Sequence, residues 1–223
     1  MAAKLKNIIP AQSFELIPAQ VALILSEEYA EQKRLRDLDP GHAGNDSFKE
    51  PTIWAYRYTA FAQEELPGII ITLDDGLYSN RDVRRADGEY KYLIDHYCQG
   101  SGKEVGGAIV DGYFVASVQL GQMVGNTRAI LMNPLYDTLD LPTSKVMGRR
   151  IDNFYICEKE VNVRNKGILL NDLESNCIAR MSLIVRATEY AELQTGVLFG
   201  ESGNKIILQE VPEKGIMFKY ITP

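Results

Sequence analysis

The sequence predicts an α+β fold: a mixed, mostly antiparallel sheet packed against two main helices, with an extra C-terminal β-hairpin. Three observations predict it. Two segments, 13–38 and 112–132, repeat apolar residues at helical spacing. Seven shorter segments alternate or run apolar over strand lengths. Their order is helix, three strands, helix, four strands, which is not the regular strand–helix alternation of a parallel α/β sheet.

The first helix carries Phe14, Ile17, Val21, Ile24 and Leu25 on one side, widened by Leu16 and Leu23. Glu27, Glu28, Glu31, Lys33 and Arg34 fill the other. Pro18 places the true start close to itself, because an interior proline removes a bond and clashes. Turn-forming residues make 39–51 a loop. A strand is expected over 52–61, where Trp54, Tyr56 and Tyr58 alternate with Ile53, Ala55 and Arg57. A second covers 68–73 and ends in the turn Asp74-Asp75-Gly76; its run of Ile69, Ile70 and Ile71 points to burial on both faces. After a charged loop within 75–89, closed by Asp87-Gly88, comes the strand 90–98. Short connections favour an antiparallel meander of these three.

Residues 99–108 form a glycine-rich linker. The second helix shows the stripe Tyr113, Ala116, Leu120, Met123, Thr127 and Ile130, and Asn133-Pro134 stops it. Its glycines Gly112, Gly121 and Gly125 stand out, and Gly121 and Gly125 each cost roughly 1 kcal/mol against alanine. Close packing of the helix on its own sheet is the favoured offset, and an inter-subunit contact the other. Strands follow at 149–157 and 177–187, joined by a polar arm, 158–176. A short helix is expected at 189–199, then strands 205–210 and 216–221 around Val-Pro-Glu-Lys-Gly. No composition break divides the 223 residues, so one domain is the economical reading.

A formal charge of −6 disfavours binding to a phosphate backbone unless basic residues segregate. Three cysteines, Cys98, Cys157 and Cys177, are too few for a disulfide scaffold and fit a reducing cytoplasm. No apolar run is long enough to span a bilayer, and no signal-peptide pattern follows the basic N-terminus.

Motifs for chemistry fall short. Gly100-Ser101-Gly102-Lys103 lies between a strand and a helix, but a phosphate-binding loop needs glycine where Tyr97 stands and Ser or Thr where Glu104 stands. His96 and Cys98 would share one strand face, yet no second ligand pair completes a zinc site, so a packed histidine is the simpler reading. His42 sits among glycines, where solvent is its expected partner. Asp74, Asp75, Asp82 and Asp87 could bind magnesium or serve as acid and base, but aspartate is common in turns, and Arg81, Arg84 and Arg85 stand close by. No cofactor is expected and no enzyme. Were there a hydrolytic or small-molecule-binding α/β site, Asp74, Asp75, Asp95 and His96 would carry it.

The run Leu-Pro-Gly-Ile-Ile-Ile-Thr-Leu-Asp-Asp-Gly (66–76) is followed by Asp-Gly-Glu-Tyr-Lys-Tyr-Leu-Ile-Asp-His-Tyr (87–97). A helix ending Arg-Ala-Ile-Leu-Met-Asn-Pro (128–134) and a return strand, Met-Gly-Arg-Arg-Ile (147–151), come next. In element order and texture, over about 10–190, this resembles the tail-terminator proteins of long-tailed phages and related contractile injection systems. The resemblance implies a homohexameric ring that caps the tail tube, ends its growth and offers a head-joining surface. Its partners would be the tail tube protein, a neck or head-connector protein and a sheath, with DNA only as cargo through the lumen. It implies a place in the virion after assembly in the host cytoplasm. A neck, head-completion or baseplate ring is the alternative within the class. Contacts between subunits draw on aromatics and arginines, so Trp54, Tyr56, Arg84, Arg85, Arg149 and Arg150 become candidate interface residues.

Overall fold

The first helix, α1 (Ser13–Leu38), starts at a capping box. The Gln12 side chain takes a backbone N–H of the first turn, and the Gln12 N–H donates to Glu15 at 3.0 Å. Pro18 therefore lies inside α1 and does not mark its start. Lacking an N–H, Pro18 leaves the Phe14 carbonyl without its helical donor. The hydroxyls of Tyr92 and Tyr56 reach that carbonyl at 3.3 and 3.4 Å. Just before it, the buried Glu189 carboxylate accepts the N–H groups of Ser13 at 2.7 Å and Phe14 at 3.1 Å. Tertiary partners thus supply what the proline and the helix start leave open.

The structure, a computed structural model, describes residues 11–39, 41, 48–57, 65–80, 85–105, 108–141, 145–161, 175–190, 205–211 and 215–221. Among them a five-stranded sheet has the order β1 (Thr52–Ala55), β2 (Gly68–Asn80), β3 (Arg85–Gly100), β7 (Ser175–Tyr190), β6 (Val146–Val161). All neighbours in it are antiparallel except β1 and β2. The α+β class and the mixed sheet are as the sequence predicts. The three-strand meander is not: β1 runs parallel to β2, and 56–67 is long enough for the crossover that parallel strands require. β1 also stops early, because Tyr56 turns into the left-handed region at φ 60°. The rest of the expected strand, 58–61, lies outside the described residues.

The expected loop 75–89 is mostly strand. Asp74-Asp75-Gly76 sits at a register shift in β2, which continues to Asn80, and β3 begins at Arg85. Asp87-Gly88 is likewise in mid-strand. A Cβ at Gly88 would lie 2.3 Å from the Tyr90 ring, so glycine there makes room for an aromatic laid along the sheet to reach Glu189 at 2.9 Å. The linker 99–108 is also structured in part. Gly100 closes β3 against Gly112, where a Cβ would meet the Gly112 carbonyl at 2.2 Å, and β4 (Lys103–Val105) pairs with β5 (Ala108–Val110). The close approach of two backbones explains the glycines better than phosphate binding does.

The second helix, α2 (Gly112–Leu131), opens where the Asp111 carboxylate accepts the Tyr113 N–H at 3.1 Å. The arm 158–176 is strand at both ends, within β6 and β7; its middle, 162–174, lies outside the described residues. So do 191–199 of the expected short helix, whose first residue, Glu189, belongs to β7. The C-terminal hairpin is β8 (Lys205–Val211) paired with β9 (Gly215–Ile221). No helix among the described residues is long and apolar enough to cross a membrane.

Both helices lie on one face of the sheet, as the strand period shows. Ile69 and Ile71 of β2, Tyr90, Tyr92 and Ile94 of β3, and Met181, Leu183 and Val185 of β7 are all buried with Ile17, Val21, Ile24 and Leu25 of α1. Ala116, Leu120 and Met123 of α2 complete that core, while Leu23 stays half-buried outside it. Each large apolar side chain so buried contributes roughly 1.5–3 kcal/mol. The core lies on one side of the sheet, and Ile70 and Ile184 are nevertheless buried on the other.

Candidate interaction surface

The residues with catalytic potential do not converge. His96 faces the helices and is fully buried; its Nε2 lies 3.0 Å from Thr127 Oγ1, which is 2.9 Å from the Tyr29 hydroxyl. Tyr29 in turn donates to the Met123 carbonyl at 2.7 Å. One proton order accounts for all three bonds: Nε2–H to Thr127, Thr127 to Tyr29, Tyr29 to the carbonyl. Burial pushes the His96 pKa down to about 4, against the opposing pull of the Ala179 and Ile94 carbonyls and Asp95. Nδ1 itself has no hydrogen-bond partner. A neutral, enclosed imidazole of this kind ties α2 to β3 and α1.

Asp95, the residue before it, points to the opposite face, where it forms a two-point ion pair with Arg180 at 2.6 and 2.7 Å. Asp74 pairs with Lys91 at 2.9 Å, and Asp75 accepts the Gly76 N–H at 2.7 Å. Each carboxylate has a local partner, and His96 and Asp95 are separated by the sheet itself. No group of three metal-ligating side chains occurs among the described residues. His42, Arg81, Asp82 and Arg84 lie outside them, as does the side chain of Arg85.

The remaining interface candidates divide between inward and outward roles. Tyr56 is half-buried and donates to the backbone of α1, including the Glu15 carbonyl. Arg149 donates to the carbonyls of Leu131 and Asn133, the latter at 2.6 Å, so it closes the C-terminal end of α2. Burial lowers its pKa while Asp137 opposes. Trp54 is half-buried on the sheet face away from the helices, with the Arg57 guanidinium 5.3 Å from its ring. Arg150 is exposed and meets Glu89 at 3.2 Å, a pair worth little in solvent.

The outer side of α2 is not among the candidates that the sequence offers. Phe114 (62% exposed), Val118 and Met132 are exposed along it. With Gly121 and Gly125 they fall on one helical line, about 27 Å long at 1.5 Å per residue. The expected packing of both glycines against the sheet is overturned. They are exposed, and a Cβ added at either would meet nothing within 4 Å among the described residues. The inward stripe is a different one, Ala116, Leu120, Met123, Thr127 and Ile130. Sequence carried the signal for the second stripe, since 114, 118, 121, 125 and 132 keep helical spacing, but two glycines in it read as a packing notch. From the same side of the sheet β6 adds Phe154, 58% exposed and paired with buried Met181.

Comparison with protein-family models and with curated proteins returns no match to this chain.

Proposed function

We propose that this chain is a structural, ring-forming protein of a phage tail or related injection machine, a tail terminator that caps the tail tube and stops its growth. The observation that carries the reading is the outer face of α2. Two mid-helix glycines weaken a helix by roughly 1 kcal/mol each. None of the described residues packs on Gly121 or Gly125 to offset that cost, and exposed Phe114, Val118 and Met132 continue the same line. A second copy of the chain laid there would bring a backbone close to the glycines and cover Phe114, Val118 and Met132. In a closed ring each subunit makes this contact head-to-tail.

The helix face alone offers about 270 Å², taking a helix width of ~10 Å, against the ~800 Å² per partner of a stable interface. The contact therefore extends past α2, and exposed Phe154, on the same side of the sheet, is suited to it. The acidic balance agrees with a lumen through which DNA passes without adhering. On this reading the ring is hexameric, belongs to the virion and assembles in the host cytoplasm with tube, neck or sheath proteins.

Negative-stain microscopy tests the proposal. Purified protein mixed with polymerising tail tube protein should give rings at tube ends and tubes of limited length. Phe114→Glu combined with Val118→Glu should give folded subunits without rings. Rings that never bind tubes would move the protein to the neck or baseplate, and a monomer at every concentration with tube growth unchanged would overturn the proposal.

A further inference from the structure

We propose that Cys98 and Cys177 form a thiol–disulfide site, closed by a small-molecule disulfide to staple β3 to β7. The two residues stand directly opposite each other in the antiparallel register of these strands. Directly opposed Cα atoms lie about 4.5 or 5.5 Å apart, depending on the type of pair, and disulfides span about 4.4–6.8 Å. Both side chains leave the sheet on the helix-covered face, both are buried, and both are free thiols. Either spacing falls within the range that a disulfide bridges. Cys177 Sγ is 3.6 Å from Ser117 Oγ on α2, which fixes its direction towards that helix.

Access is from one side. Cys98 borders a cavity of about 20 Å³ that it shares with Tyr29, Phe48, Gln119 and Met123. Burial, and secondarily the neighbouring Cys177, push the Cys98 thiol up to about 12, so its thiolate is scarce and the reaction slow. That slowness suits a site that stays reduced during assembly in a reducing cytoplasm and closes after release from it.

The exchange balances without any other oxidant. The Cys98 thiolate attacks the small disulfide, forms a mixed disulfide and expels one thiolate. The Cys177 thiolate then attacks the Cys98 sulfur, forms the protein disulfide and expels the second. Two protein thiols are oxidised and one external disulfide is reduced; the two protons of the protein thiols pass through solvent to the two expelled thiolates, giving two small thiols. The new bond encloses a loop of roughly 80 residues that carries α2 and β6.

The site is tested on the full chain with Cys157→Ser, which removes the third thiol, incubated with oxidised glutathione. Intact mass should fall by two hydrogens, and peptide mapping should find Cys98 linked to Cys177. The thermal midpoint should rise by about 5–15 °C and return on reduction. Cys177→Ser should instead hold a glutathione adduct on Cys98. A link between chains, a lasting adduct on the two-cysteine protein, or free thiols after incubation in urea just below the unfolding transition would each overturn the proposal. The mass and peptide map are read on a protein with both cysteines present, so a poorly folding serine variant leaves the test intact.

Discussion

Tyr92 donates its hydroxyl to the Phe14 carbonyl at 3.3 Å, the carbonyl that Pro18 deprives of its helical donor. A strand residue thereby completes a turn of a helix 78 positions earlier in the chain.

Tyr92→Phe should cost about 1 kcal/mol in urea unfolding, the usual value of a net hydrogen bond. In a Pro18→Ala background the cost should shrink, because an alanine N–H at position 18 returns the carbonyl to the helix ladder. Strict additivity of the two substitutions in a double-mutant cycle would show that tyrosine and proline are not coupled.

Glu189→Ala should destabilise by roughly 2–4 kcal/mol. It removes the acceptor of two helix-start N–H groups and of the Tyr90 hydroxyl, leaving buried donors unsatisfied. Hydrogen exchange should rise first at the N-terminal end of α1. Protection unchanged at Ser13 and Phe14 would mean that the carboxylate does not cap the helix.

Stability should fall with acidification before most carboxylates titrate. The His96 pKa is about 4 in the folded protein, below the ordinary 6.5, so the unfolded chain binds the proton first. The contribution is complete above pH 6.5 and is lost as pH falls towards 4. It amounts to roughly 2 kcal/mol between pH 7.5 and pH 5. Urea titrations of wild type and His96→Gln should differ by that slope; parallel curves would place no buried neutral imidazole in the fold.

Gly121→Ala and Gly125→Ala should each stabilise the isolated subunit by up to ~1 kcal/mol, since the added methyl meets open space on an exposed helix. Gly125→Trp should leave the subunit folded and abolish rings. Destabilisation by the alanines would mean that something within the chain already occupies this face.

Sequence alone determined the two helices, the strands of the core and which side of each faces inward. Those depend on local period, and Ile17, Val21, Leu120 and Met123 keep it without interruption. It also determined that His96 would be a packed histidine, since two histidines in the whole chain leave few chemical alternatives. Tertiary structure decided what depends on partners distant in the chain. Pro18 is tolerated within α1 because Tyr92 and Tyr56 arrive from the sheet, and Gly88 is strand because the Tyr90 ring must lie across it. Arg149 and Tyr56, exposed-looking by residue type, turned inward to backbone carbonyls that only the folded chain presents. Phe114, Val118, Gly121 and Gly125 went the other way: the inward stripe of α2 was legible, but only the sheet, occupied by Ala116, Leu120 and Met123, leaves the glycine line facing outward.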